Sequence, residues 1–428
     1  MPAEALLDAS DPALETVPDP PGLPPVESYE FDGTDVVRRV RRRDGSVVES
    51  RVAARENTGD AAADFDLAWL RSTERAAPVE TSDVVTVVDL FCGCGGATLG
   101  LEEAARALGL DFRVRLAVDF NQRAADAYAA NFPDADVRVD SVEALFPGKI
   151  GSPLTAEEAA LRDELGPISV LIGGPPCQGH SDLNNHTRRD DPKNALYLRM
   201  ARAAEVLRPD HVLIENVPGV VHSKDSVVAR TQTELVGLDY AVDGAVVHAA
   251  RLGVAQRRRR YFMAASRTIE PSLEAVTEDM AVPERPLDWA ITDLRSCAGE
   301  TVVDTSAVHS DTNRSRIDYL FDHDLHDLPD TERPDCHRLK PHSYRAVYGR
   351  LWGDRAAPTI TSGFGSTGQG RFVHPHERRT MTPHEAARVQ FFPDFFSFDG
   401  FGRAALQEMI GNAVPPKLGY VIGLELLR

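Results

Sequence analysis

The sequence lacks the features that mark membrane and secreted proteins. It has no apolar run of about 18 residues, the length that a membrane-spanning helix needs. Residues 1–28 are acidic and rich in proline, without the basic start and apolar stretch of a secretory signal. The five cysteines are scattered and form no CxxC pair, which argues against a disulfide framework and a metal site. We therefore expect a cytoplasmic protein that binds neither a membrane nor a metal.

Lysine and net positive charge are also scarce. Only five of the 47 basic residues are lysines, and the formal net charge is −19. This sign opposes binding to a polyanion, although the local distribution of charge decides such binding. The acidic, lysine-poor composition fits either a GC-rich genome or a salt-rich cytoplasm, and both origins stay open.

The composition divides the chain into segments. Residues 1–28 are predicted to be a disordered acidic and proline-rich tail, because they show no periodicity. Residues 29–82 are an extension that contains a β-hairpin with Asp44-Gly45 at its turn. The arginines of this hairpin are expected to lie on a solvated strand face, and contact with nucleic acid is the alternative. Residues 268–345 are irregular and rich in histidine, arginine, aspartate and proline.

Between residues 84 and 267, apolar strand patterns alternate with helical ones. The strands include "VVTVVDLF", "VRLAVDF", "ISVLIGG" and "HVLIENV", and the helices include "ATLGLEEAARALG" and "ALYLRMARAAEVLRPD". This alternation predicts an α/β fold with a doubly wound, mostly parallel sheet. Such sheets bind ligands at the carboxyl ends of their strands.

A glycine-rich turn follows the first of these strands. In "DLFCGCGGATLGLE", Gly93, Gly95 and Gly96 would let the backbone approach a ligand at the start of a helix. The strict GxGxxG pattern is absent, so the turn could hold a dinucleotide or S-adenosylmethionine, or could be only a tight turn. Asp119 and Asp140 end the next two strands, where an acid can bind ribose or adenine, or cap a helix.

Three further motifs place reactive side chains at strand ends. "GGPPCQGHSD" displays the thiol of Cys177 on a rigid loop, where a following helix would stabilise the thiolate. "ENVPG" places Glu215 at the end of a buried strand, as a catalytic carboxylate or a structural ion pair. In "GVAQRRRR", Gln256, Arg258 and Arg260 have the spacing of two that puts strand residues on one face.

These motifs, in this order, resemble those of the DNA (cytosine-5)-methyltransferase family. "RRTMTPHEAARVQFFPD" resembles the family's late helix, and "IGNAVPP" resembles its last motif. The resemblance covers residues 84–428, with two small departures: Asp119 replaces the usual glutamate, and "QFFPD" lacks a glycine before its phenylalanine. It implies a Rossmann-like methyltransferase fold with a catalytic domain at 84–267 and a smaller, irregular target-recognition domain at 268–400. Residues 401–428 would return to the catalytic domain.

The resemblance also implies a reaction. Cys177 would add to C6 of a flipped cytosine, and C5 would then take the methyl group of S-adenosylmethionine, in a specific sequence of double-stranded DNA. Glu215 would hold N3 and the exocyclic amine, and Arg258 would anchor the base or its phosphate and assist Glu215. Arg260 would support the loop or Glu215, and Gln256 would be a further catalytic residue. The cofactor residues implied are Asp89, Phe91, Gly93, Gly95, Gly96, Asp119, Asp140, Pro175, Asn412 and Val414.

Some properties stay open at this point. The enzyme is expected to act as a monomer, either with a cognate restriction endonuclease or as an orphan. A transfer-RNA cytosine methyltransferase is disfavoured, because relatives of that kind carry a Cys-Phe-Thr stretch in the recognition region and this sequence has none. A non-catalytic DNA-binding relative is disfavoured because it would be expected to have lost Cys177 or Glu215, and both residues are present. The recognition sequence is not predicted. Because the motifs begin near Val84, the first 80 residues are expected to be dispensable.

Overall fold

The computed structural model describes residues 25–54, 58–176, 194–222, 226–296, 299, 301–338 and 346–428. Cys177 and most of the predicted N-terminal tail lie outside the described residues. Within the part of the chain that is described, no helix is both long and apolar enough to cross a membrane. No group of three or more candidate metal ligands occurs there either.

A seven-stranded sheet forms the centre of the molecule, and it confirms the predicted α/β fold. Its order is β6-β5-β4-β7-β8-β11-β9, and every neighbouring pair is parallel except the two that involve β11. The bounds of its strands are β4 Val84–Leu90, β5 Asp111–Asp119, β6 Val137–Val139, β7 Val170–Gly173, β8 His211–Asn216, β9 Ala241–His248 and β11 Arg259–Ser266. Each strand predicted from an apolar run in this part of the sequence is present.

Helices cover both faces of the sheet. One face packs against α2 and α14, and the other against α5, α6 and α7, so two separate apolar cores flank the strands. The bounds of the helices of this domain and of the C-terminal segment are α2 Gly96–Ala107, α3 Gln122–Asn131, α4 Val142–Leu145, α5 Ala156–Leu165, α6 Asn194–Leu207, α7 Val227–Gly237, α12 Pro383–Val389, α13 Arg403–Asn412 and α14 Pro416–Leu427. Short 3₁₀ turns occupy Pro218–His222, Ala249–Leu252, Thr292–Ser296 and Thr367–Gln369.

The N-terminal extension packs on the catalytic domain. The predicted hairpin is present as β2 and β3, a third strand β1 pairs with β2, and a helix α1 follows. The bounds are β1 Glu27–Asp32, β2 Asp35–Arg41, β3 Val47–Ala53 and α1 Ala61–Leu70. Val26, Val40 and Leu70 belong to the same apolar core as α2 and α14. This packing is a physical argument against the expectation that the segment is dispensable, and truncation of the protein is its test.

The arginines of the hairpin are engaged within the protein. Arg38 is buried, with a nitrogen 2.8 Å from a carboxylate oxygen of Glu103 on α2. Arg39 pairs with Glu30 and Glu49 at 2.6 Å. These ion pairs neutralise the charges of Arg38 and Arg39, so they favour the solvated-face interpretation for Arg39 and a structural role for Arg38.

The region after β11 contains more regular structure than its sequence predicted. The elements there are α8 Leu273–Asp279, α9 Leu287–Ile291, α10 Asp311–Asp322, α11 Asp335–Arg338, β12 Gly349–Arg350, β13 Ala357–Pro358 and β14 Arg371–Val373. The short strand β10 Gln256–Arg257, which precedes β11, pairs with β13. The 12-residue α10 begins at the capping side chain of Ser310 and buries Ile317 and Leu320. Only two of its apolar side chains are buried, and they stand among several charged ones, so the helical pattern was too weak to predict.

The predicted boundary at residue 268 falls inside packed structure. Leu273, Val276 and Met280 of the α8 region lie in the core under β4, α2 and α14. Further along the chain, Phe392, Phe396 and Phe398 belong to one apolar core with Tyr128 and Phe132 of the α3 region. The catalytic and recognition regions therefore share a core at their junction.

Candidate active site

The glycine turn between β4 and α2 is a strained and crowded piece of backbone. Phe91, Gly93 and Gly95 have positive φ values of 58°, 54° and 96°. A Cβ on Gly95 would lie 2.7 Å from the ring of Phe132, and one on Gly96 would lie 2.3 Å from the carbonyl oxygen of Val414. Glycine is therefore needed here for both conformation and space. The last motif passes directly beside the turn, with Val414 half buried and Asn412 exposed.

Two of the predicted acidic residues, Asp119 and Asp89, form hydrogen bonds with the turn and with the helix that follows it. Asp119 accepts hydrogen bonds from the backbone N–H groups of Gly93 at 2.9 Å and Asn121 at 2.8 Å. Burial raises the pKa of Asp119. Asp89 is buried and accepts from the hydroxyl of Thr98, which in turn accepts from Tyr128 at 3.0 Å. Burial raises the pKa of Asp89 to about 8, so this group belongs to the core beneath the turn.

The remaining residues on the cofactor side differ in exposure. Asp140 is exposed and accepts from the N–H of Ser141 at 2.7 Å. Phe120, which the sequence reasoning missed, follows Asp119 and is 72% exposed. A large aromatic side chain left open beside a glycine turn is a surface for a planar ring. The signal was an aromatic residue directly after a strand-end acid. Cys92 and Cys94 are buried, and burial raises the pKa of Cys94 to about 12, so both are inert fillers of the turn.

Glu215 lies at the carboxyl end of β8, beside the start of the cysteine loop. Its side chain is 16% exposed, and its Oε1 is 2.8 Å from Nε of Arg260. Its Oε2 would be 3.4 Å from a Cβ placed on Gly174, three residues before Cys177. Asn216 donates to the carbonyl oxygen of Pro175 at 3.1 Å, which fixes this loop to β8. Burial raises the pKa of Glu215, while Arg260 and Arg258 oppose that shift.

Arg258 and Arg260 do not share an environment. β10 ends at Arg257 and β11 begins at Arg259, so Arg258 lies at a break in the alternation. It is 1% exposed and donates to the carbonyl oxygens of Ile360 at 2.9 Å, Gly411 at 3.2 Å and Ala413 at 3.0 Å. These hydrogen bonds hold the Arg258 side chain to the protein backbone, and they do not support its predicted contact with the base or its phosphate. Arg260 alone of the two pairs with Glu215.

Gln256 is also fully buried, and it joins three segments. Its amide oxygen accepts from the N–H of Ile360 at 2.7 Å, and its amide nitrogen donates to the side chain of Gln390 at 2.8 Å. Gln256 and Arg258 thus connect the segment 256–260 to Ile360 in the predicted recognition region and to Gly411 and Ala413 in the C-terminal segment. The sequence predicts that Gln256 is a catalytic residue, and in the structure its side chain contacts Ile360 and Gln390.

Comparisons with known proteins agree with this geometry. Residues 85–428 match the family model for C-5 cytosine-specific DNA methylases. The chain is 49% identical over 411 residues to Type II methyltransferase M1.BsuMI of Bacillus subtilis, covering 94% of this chain and 95% of that protein. It is 28% identical to Type II methyltransferase M1.HphI of Haemophilus parahaemolyticus, over 80% of this chain and 87% of that one.

Solved structures show the same fold at lower identity. The crystal structure of a Spodoptera frugiperda DNMT2 mutant covers 80% of this chain and 100% of its own, with a TM-score of 0.56 and 18% identity. A putative DNA modification methyltransferase encoded within an Escherichia coli prophage gives a TM-score of 0.55 at 23% identity. The chain belongs to the C-5 cytosine-specific DNA methylase family. It is a DNA (cytosine-5-)-methyltransferase.

Proposed function

We propose that the protein methylates C5 of a cytosine that is flipped out of double-stranded DNA, through a covalent bond between Cys177 and C6. The observation that carries the proposal is the position of Glu215. Its carboxyl group is largely buried at the carboxyl end of β8, is held by Arg260, and lies against Gly174 at the beginning of the cysteine loop. A base bound beside Gly174 would meet this carboxyl group.

The side chains have complementary tasks in this reaction. The thiolate of Cys177 forms a bond to C6, and the displaced electron pair makes C5 a nucleophile. The raised pKa of Glu215 suits a carboxyl group that gives a proton to N3, because charge then does not build up on the ring. Arg260 fixes the other oxygen of Glu215. After methylation a proton leaves C5 to water, the C6–S bond breaks, and N3 returns its proton to Glu215, so the thiolate and the carboxyl group are both regenerated.

The glycine turn and its surroundings fit S-adenosylmethionine, which members of this family generally use. When bound, the cofactor supplies an electrophilic methyl group on a sulfonium. Gly93 and Gly95 leave the turn without side chains, Asp140 offers an exposed carboxylate, and Phe120 offers an exposed ring for adenine. Asp119 would act through the backbone N–H groups that it orients.

Duplex DNA is the proposed partner, and a cognate restriction endonuclease is the proposed functional counterpart. Support comes from the relatives M1.BsuMI and M1.HphI, which are named type II methyltransferases. Methylation by this chain would then protect the sequence that the endonuclease cuts.

The test is bisulfite sequencing of DNA from a host free of cytosine methylation that expresses the chain. We expect methylcytosine at one sequence context, and none when the host expresses the Cys177→Ser variant at the same level. Methylcytosine in transfer RNA with unmodified DNA would contradict the proposed substrate. Equal methylation by the Cys177→Ser variant would contradict the covalent step.

A further inference from the structure

Three exposed basic side chains meet at the edge of the sheet next to Glu215. β9 ends at His248 and β11 begins at Arg259, and these two residues are directly opposite each other in the antiparallel pair. Arg251 follows in the 3₁₀ turn Ala249–Leu252. All three side chains are exposed. We call His248, Arg251 and Arg259 the basic edge.

Within the described ranges of the chain, Arg251 and Arg259 differ from their neighbours in having no acidic partner. Arg257 pairs with Glu284 at 2.8 Å, and Arg260 pairs with Glu215 at the same distance. Among the residues that the structure describes, no carboxylate lies within ion-pair distance of Arg251 or Arg259. His248 lies directly opposite Arg259, and Arg251 follows three residues later in the adjoining turn. Partial burial, together with the positive charges of Arg259 and Arg251, lowers the pKa of His248.

Unpaired like charges at one place are unfavourable in the free protein. The chain has a net charge of −19, so acidic partners are abundant. Arg39 and Arg51 on the N-terminal sheet β1-β2-β3, for example, are both paired with acids. A polyanion would relieve the repulsion between Arg251 and Arg259, and it would gain the release of its own counterions.

The basic edge lies at the same end of the sheet as the active site. Tyr261 of β11 is opposite Asn216, the last residue of β8, so Arg259 extends two residues past the end of that strand. Arg259 is also adjacent in sequence to Arg260, the partner of Glu215. Any duplex that delivers a base to Glu215 therefore brings its backbone close to this edge.

We propose that Arg251 and Arg259 bind backbone phosphates of the duplex beside the flipped nucleotide, with neutral His248 as an additional hydrogen-bond donor. The inference rests on the proposed function, since it assumes a duplex in the cleft. Such contacts position the DNA and carry no sequence information. They would weaken equally for every duplex when the charges are removed.

The experiment compares the salt dependence of DNA binding among four proteins: the wild type, Arg251→Gln/Arg259→Gln, Arg251→Lys/Arg259→Lys, and Arg115→Gln. Arg115 is an exposed arginine of β5 away from the carboxyl edge, which makes it a matched control. The measured quantity is the slope of log affinity against log salt for a short synthetic duplex. Each lost phosphate contact lowers the magnitude of this slope by about 0.9.

We expect the slope of the glutamine double variant to fall by about 1.8, because two contacts are lost. The lysine double variant and Arg115→Gln should keep the wild-type slope. If the wild type methylates DNA while all four proteins share one slope, the basic edge does not bind phosphate. If the lysine variant loses the slope as well, the arginines act structurally and the inference is wrong. A wild type that does not bind or methylate duplex DNA would instead overturn the proposed function.

Discussion

The carboxyl group of Glu215 has two neighbours of different character, and its chemistry follows from both. Arg260 fixes Oε1, while Oε2 points to the loop that begins with Gly174. Burial raises the pKa of the group, which favours a carboxyl that can carry a proton to the base. The residue is thus suited to proton donation at one oxygen and to orientation at the other.

Replacement of Glu215 with glutamine tests this division. The amide keeps the shape but cannot donate an acidic proton to N3, so we expect single-turnover methyl transfer to fall about 10²-fold, equivalent to about 3 kcal/mol. Affinity for the cofactor and the melting temperature should stay near the wild-type values. Single-turnover rates at saturating DNA that match the wild type would show that Glu215 is only structural.

Arg258 and Arg260 allow a paired test of stability against catalysis. Arg258→Lys replaces a planar group that reaches three carbonyl oxygens with an ammonium that cannot, so we expect a loss of roughly 2–4 kcal/mol in the free energy of unfolding. Arg260→Lys should leave that free energy almost unchanged and should lower the methylation rate, because Glu215 loses its orienting partner. Denaturant unfolding and single-turnover rates on both variants provide the measurements. If the Arg258→Lys enzyme were stable and had lost only DNA affinity, that result would support the predicted contact of Arg258 with the base or its phosphate.

Among the secondary structure elements, α2 and α14 determine how the glycine turn is held. Gly100 of α2 lies against Gly419 of α14, and a Cβ on Gly100 would be 2.1 Å from the carbonyl oxygen of Pro416 and 2.8 Å from Cα of Gly419. Gly419 in turn lies against the carbonyl oxygen of Ala97. Because the helices touch through their backbones, the C-terminal segment holds the start of α2 in place.

Gly100→Ala should therefore destabilise the protein strongly. The added methyl group meets backbone atoms that cannot rotate away, and overpacking of this kind costs about 3 kcal/mol or prevents folding. Gly237→Ala is the matched control, because Gly237 also lies in a helix and has open space at its Cβ position. We expect that control to be neutral or to stabilise by up to about 1 kcal/mol. Thermal melts that gave equal results for both variants would show that the helices can separate freely.

The elements also differ in how far the sequence could predict them. The strands of the central sheet follow apolar runs such as "VVTVVDLF", because a strand covered on both faces must be apolar throughout. The separation of Arg258 from Arg260 could not be predicted, since the break between β10 and β11 follows from pairing with β13, which is distant in sequence. Helix α10 was missed because its few apolar residues pack against a small local cluster with Val347 and Tyr348.

In the whole molecule, the N-terminal extension is part of the catalytic domain's core. Asp66 of α1 is held between Lys417 at 2.9 Å and Arg285 at 2.6 Å, which come from the C-terminal segment and from the region after β11. Burial alone would raise the pKa of Asp66, but Lys417 and Arg285 hold it below the usual range. These contacts could not be predicted from the sequence, because Asp66, Arg285 and Lys417 are far apart along the chain and only the fold brings their charges together.

Removal of the extension should accordingly unfold the enzyme or make it insoluble. A protein that begins at residue 81 loses Val26, Val40 and Leu70 from the core and leaves Glu103 without Arg38 and Lys417 without Asp66. Breaking even one buried ion pair costs about 3–5 kcal/mol, a large part of the stability of a typical domain.

A protein that begins at residue 25 keeps all of these contacts, so it is the matched control and should melt near the wild-type temperature. The measurements are soluble yield, melting temperature and methyl transfer on both truncations. Full activity and an unchanged melting temperature in the shorter protein would show that the catalytic domain is stable alone, and that the buried charges of the extension contribute nothing to its stability.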